Sequence, residues 1–126
     1  MSNHPRILLV DDEPGTTEFV GRLLEKQGYD VLTCESGEDA LKILEDDTRF
    51  DLILLDYLMV GLDGIETLEV IKKQPKTKDL KVLIQSGLSD LEDMEKAKNL
   101  GAVGYILKPY KPGELIDKIK EELDKK

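Results

Sequence analysis

Five polar residues stand directly behind leucine-rich or β-branched runs: Asp11 and Asp12 follow 7–10, Asp56 follows 52–55, Ser86 follows 82–85 and Lys108 follows 105–107. Any one of them alone reads as an ordinary turn residue. As a set they carry chemistry. Three carboxylates within a few ångströms repel one another, which raises the pKa of at least one unless a cation compensates. Oxygen donors without histidine or thiolate select magnesium or a similar hard ion. A lysine adds a point charge for phosphoryl oxygens, and a serine hydroxyl adds a hydrogen bond. The combination is that of a phosphoryl-transfer site, in which a carboxylate is itself a nucleophile toward phosphorus and forms an aspartyl phosphate. Which aspartate attacks stays open at this level, although Asp56 stands alone while Asp11 and Asp12 are paired as metal ligands would be.

These residues need a frame that gathers them. The runs at 7–10, 31–34, 52–55, 82–85 and 105–107 are mostly continuous rather than alternating, the pattern of strands buried on both faces. Helical stripes lie between and after them: Phe19, Val20, Leu23 and Leu24; Ala40, Leu41 and Leu44; Ile65, Leu68 and Ile71; Leu91, Met94, Ala97 and Leu100; Leu115, Ile116, Ile119 and Leu123. Ser36 with Asp39, Asp63 with Glu66 and Ser89 with Glu92 have the spacing of helix N-caps. Gly28 and Gly101 stand where helices end, and Pro112 suits a first turn. The order is five βα units. Right-handed crossovers make one parallel sheet with helices on both faces, and all strand ends then share the rim where such sheets bind ligands.

At 126 residues the chain makes one domain, 1–126, with no repeat or linker. A net charge of −9 argues against nucleic acid or an anionic membrane as direct partner. The single cysteine, Cys34, forms no internal disulfide and reads as a small core residue of a cytoplasmic protein. The single His4 excludes a multi-histidine metal site. No run approaches the length of a membrane span, and nothing near the N-terminus reads as a signal peptide. Lysines 72, 73, 76, 78 and 81 form a basic patch that reads as solvated surface.

The strings Ile7-Leu8-Leu9-Val10-Asp11-Asp12-Glu13, Leu52-Ile53-Leu54-Leu55-Asp56-Tyr57, Gly61-Leu62-Asp63-Gly64, Gln85-Ser86-Gly87 and Gly104-Tyr105-Ile106-Leu107-Lys108-Pro109-Tyr110 resemble the receiver domain of bacterial two-component response regulators. The resemblance runs from about Arg6 to Leu123. It implies a flavodoxin-like (βα)5 fold with strand order 2-1-3-4-5, and a signalling module rather than an enzyme. It makes Asp56 the acceptor of a phosphoryl group from a phosphohistidine on a histidine kinase or histidine phosphotransferase. It further implies magnesium bound by Asp11, Asp12 and Asp56 and the backbone carbonyl of Leu58. Lys108 then holds phosphoryl oxygens ahead of a cis Pro109, Gly87 lets the backbone approach the phosphoryl group, and Ser86 and Tyr105 form the switch read by a downstream target or output domain. Departures are Val60 where proline is frequent, Ser86 where threonine is frequent, and Leu58 where some members are polar.

Two other classes use related parts. A haloacid dehalogenase-type phosphotransferase wants a second aspartate two positions after its nucleophile, and that position is Leu58. An FMN-binding flavodoxin-like protein wants a hydroxyl- and glycine-rich loop after the first strand, where this chain has Asp11-Asp12-Glu13-Pro14. Leucines at 58 and 88 cannot orient a hydrolytic water, so a long-lived phosphoryl state is expected.

Overall fold

The computed structural model describes residues 4–57, 63–87 and 91–125, leaving aside the side chains of 91–93. The elements alternate as expected: β1 (Arg6–Val10), α1 (Pro14–Lys26), β2 (Asp30–Cys34), α2 (Gly37–Asp46), β3 (Leu52–Asp56), α3 (Gly64–Lys73), β4 (Val82–Ser86), α4 (Leu91–Asn99), β5 (Gly104–Leu107) and α5 (Pro112–Asp124). All pairings are parallel, in the order β2-β1-β3-β4-β5, which bears out the fold class.

The continuous apolar runs are explained by position. β3 and β4 are buried at every residue, and β1 at all but its first, because each has strands on both sides and helices on both faces. Alternation splits the core in two. Leu8, Val10, Ile53, Leu55, Val82 and Ile84 face α2, α3 and α4, while Ile7, Leu9, Leu52, Leu54 and Leu83 face α1 and α5. The edge strand β2 departs from the expectation of burial on both faces. Only Cys34 is buried there, and Leu32 is 42% exposed. Phe19 departs too: it belongs to the apolar stripe by spacing yet is 58% exposed, because Val20 and Leu24 already cover the sheet.

Local signals set the boundaries. Ser36 Oγ accepts from Asp39 N at 3.0 Å, and Asp63 and Glu66 form a full capping box that starts α3. Gly28 and Gly101 both have positive φ, 91° and 108°, past the ends of α1 and α4. The Ser89 and Glu92 pair lies outside the described residues. The basic patch is not simply solvated. Lys72 Nζ donates to the carbonyls of Lys78 and Leu80, Lys76 to that of Glu45, and Lys81 to those of Glu122 and Lys125. Lysine ammonium groups thus bond carbonyls of the loop before β4 and of the last turns of α2 and α5.

Candidate phosphoryl-transfer site

The expected gathering at the carboxyl rim takes place. One carboxylate oxygen each from Asp11, Asp12 and Asp56 lies within 4.8 Å of the others, with Asp11 and Asp56 buried and Asp12 half-buried. Asp56 is the last residue of β3, and Asp11 follows β1 directly, so both rise from central strands. Lys108, one residue past β5, reaches across: its Nζ lies 3.3 Å from Asp11 Oδ2 and 3.4 Å from Asp56 Oδ1. Its backbone N donates to Ser86 O at 2.7 Å, which keeps the lysine level with the end of β4. The Lys108–Pro109 peptide is cis.

The electrostatics follow from this packing. Burial lifts Asp56 first, the Asp11 carboxylate lifts it further, the Lys108 ammonium and its hydrogen bond pull it back, and Asp12 adds a push upward; the outcome is about 6. Repulsion among the acids was legible in the sequence, whereas the larger contribution, burial, came from the fold. Such a donor set fits a hard divalent cation: three carboxylate oxygens converge, and the nearby cation that partly neutralises them is a flexible lysine able to turn toward an arriving anion.

Ser86 ends β4, buried, on the same sheet face as Ile84, whose register partner on β5 is the half-buried Tyr105. The two residues expected to form a switch thus share a face on adjacent strands. Gly87 is exposed, and a Cβ there would meet open space, so any close approach at this position concerns a bound group rather than the protein's own atoms. Leu58, with its carbonyl, and Leu88 lie outside the described residues, as do Val60 and Gly61.

Sequence reasoning gave three residues of its motifs no contact with the acids. Gly64 is pressed against the backbone of Asp56: a Cβ would stand 2.3 Å from Asp56 O and 2.8 Å from Tyr57 Cα. Gln85 is fully buried beside the acids, in register with Asp56, and donates to Asp11 Oδ2 at 3.2 Å. Tyr110 donates its hydroxyl to Gln85 Oε1 at 2.9 Å. Burial, then the Asp11 and Asp56 charges, push the Tyr110 phenol up to about 12, so it stays a donor. The available signal was a glutamine inside a run that must be buried on both faces. An open cleft of about 690 Å³ adjoins the site, walled by Glu13, Gly15, Thr16, Phe19, Lys108 and Tyr110.

Comparison with known proteins finds matches over nearly the whole chain. The sequence model described as "Response regulator receiver domain" matches residues 7–120. The chain is 35% identical over 115 residues to the phosphate regulon transcriptional regulatory protein PhoB of Escherichia coli, covering 91% of this chain and 50% of that protein. It therefore spans about half the length of the PhoB relatives it matches. It is 33% identical over 118 residues to the sporulation initiation phosphotransferase F of Bacillus subtilis, covering 94% and 93% of the two chains. A solved CheY-like receiver domain from Methanospirillum hungatei superposes with a TM-score of 0.89 at 34% identity, covering 97% of this chain and 95% of that one.

Proposed function

The chain belongs to the response regulator receiver domain family, signalling modules that accept a phosphoryl group, and from that premise we propose that Asp56 is its phosphoacceptor. The observation that carries the reading is the Lys108 ammonium held between Asp11 and Asp56 inside a triad of acids, with Asp56 at the end of the central strand β3. In the proposed step an Asp56 carboxylate oxygen attacks phosphorus. The O–P bond forms as the P–N bond of a phosphohistidine breaks, and the electron pair leaves with the imidazole nitrogen of a histidine kinase or histidine phosphotransferase. With a pKa of about 6, Asp56 is mostly ionised at pH 7, the form a nucleophile needs. Lys108 releases Asp56 and turns to a phosphoryl oxygen, and the Ser86 hydroxyl donates to another. Asp11, Asp12, Asp56 and the Leu58 carbonyl would hold magnesium, which supplies positive charge against the phosphoryl oxygens. Later attack by water on phosphorus returns the carboxylate and releases phosphate; turnover stays confined to the domain's own phosphoryl group.

The reading treats 1–126 as one domain acting in the cytoplasm, where Cys34 stays reduced. The phosphohistidine partner docks along the start of α1, where the exposed Phe19 walls the cleft beside Tyr110. The switched state is read by a downstream protein target or output domain. Among the described residues no helix is long and apolar enough to cross a membrane. The comparisons give no support to the dehalogenase-type or FMN-binding alternatives.

Intact-mass measurement after incubation with an acyl phosphate and magnesium tests the assignment. Wild type gains one phosphoryl group, Asp56→Asn gains none, Asp12→Ala gains little, and a chelator abolishes the gain in wild type. Equal gains in wild type and Asp56→Asn overturn it.

A further inference from the structure

Gln85 is a polar side chain with no exposure, set between the apolar Leu83 and Ile84 and the site itself. Burying an amide costs free energy unless both of its ends are used. Here both are, and both on functional neighbours: Nε2 on Asp11 Oδ2 at 3.2 Å and Oε1 on the Tyr110 hydroxyl at 2.9 Å. The amide places its NH2 end on the carboxylate and its oxygen on the phenol hydroxyl, the pairing that uses a donor and an acceptor at each end. Asp11 is thereby held from three directions. Its Oδ1 accepts from Glu13 N at 3.0 Å, and its Oδ2 is shared by Gln85 and by Lys108 at 3.3 Å. Of these, Lys108 is the donor that must turn away when a phosphoryl group arrives, which leaves Gln85, among the described residues, as the lasting side-chain restraint on Asp11.

We propose that Gln85 is a positioning residue for the acidic site: it fixes Asp11 for cation binding and, through Tyr110, ties that carboxylate to the wall of the adjoining cleft. The inference rests on reading the triad as the magnesium site. Removing one hydrogen bond to a charged group from a preorganised ligand weakens binding about tenfold. Magnesium affinity is therefore expected to fall about tenfold in Gln85→Met, which keeps the volume and loses both bonds, and two- to threefold in Tyr110→Phe, roughly half an order from losing the outer bond alone. Because the bonds form one chain, the double variant should be no weaker than Gln85→Met.

The test is calorimetric titration of magnesium into wild type and the three variants, each checked for a cooperative unfolding transition, with NMR of labelled tyrosine as a second readout. The Tyr110 ring resonance is expected to shift on magnesium binding in wild type and to lose that response in Gln85→Met. Equal magnesium affinity in wild type and Gln85→Met, or fully additive losses in the double variant, overturns this inference alone. A wild type that binds no magnesium overturns the function reading and this inference with it. Should Gln85→Met fail to fold, unchanged affinity in Tyr110→Phe, with a Tyr110 resonance indifferent to magnesium, overturns the proposal.

Discussion

Asp56 is held by a fold that works against its charge. Its pKa of about 6 in the folded chain compares with an ordinary value of 3.8, approached when the chain unfolds. Between those values the native state binds more protons than the unfolded state, so stability falls as pH rises from about 4 to about 6 and stays lower above. Asp56→Asn removes that cost. In chelator it should be more stable than wild type at pH 7.5 by about 1–3 kcal/mol, with the two converging near pH 4, as read by urea denaturation. Equal stabilities at pH 7.5 would show that Lys108 compensates the charge in full. Hydrolysis is governed at the same scale. Replacing Leu58 by Asn and Leu88 by Glu should speed decay of the phosphorylated form about tenfold, since an orienting hydrogen bond to the attacking water contributes ~1–1.5 kcal/mol. A double variant that decays no faster would place the control of lifetime elsewhere.

Helix α3 is docked through its first residue to the end of β3, the strand that carries Asp56. Gly64 N donates to Tyr57 O at 2.9 Å, and the Asp63 and Glu66 capping box fixes the entry of the chain. Both atoms that a Gly64 Cβ would meet most closely are backbone, which cannot rotate away. Gly64→Ala should therefore cost about 2–3 kcal/mol and slow phosphorylation by shifting Asp56. Gly113→Ala is the matched control: nothing lies within 4 Å of the added methyl, and it sits in the first turn of α5, so it should be neutral or stabilising by up to ~1 kcal/mol. Paired denaturation curves decide, and equal effects would remove the steric argument.

Across the molecule, the two residues proposed as the switch lie on the strands that border one side of the domain. Ser86 and Tyr105 share a sheet face on β4 and β5, and β5 is the open edge, with Leu107 39% exposed. A change of contact at Ser86 thus reaches solvent through one neighbouring strand and the helices against it. Phosphorylation should alter amide hydrogen exchange in α4, β5 and α5, while β2 and α2 at the other edge change little. Differences confined to α2 would contradict this output face.

Element types, their order and the location of the chemistry were all legible in the sequence, because each depends on local pattern. Continuous apolar runs separated by stripes of helical period specify parallel βα units, and polar residues directly behind those runs must meet at one rim. The strand order came from resemblance, since crossover partners leave no local mark. Tertiary structure alone decided what depends on neighbours distant in the chain. Leu32 and Phe19 share the apolar pattern of buried residues and are exposed because of the strand and helix they occupy. Lysines that read as solvated surface donate to carbonyls brought near by folding. The close approach at Gly64 arises only once α3 is set against β3, and Gln85 gains its hydrogen bonds only when β4 stands beside β3 and within reach of Asp11 and Tyr110. The pKa of Asp56 belongs to this second group, because burial and the placement of Asp11 and Lys108 are properties of the packed rim and of no single stretch of residues.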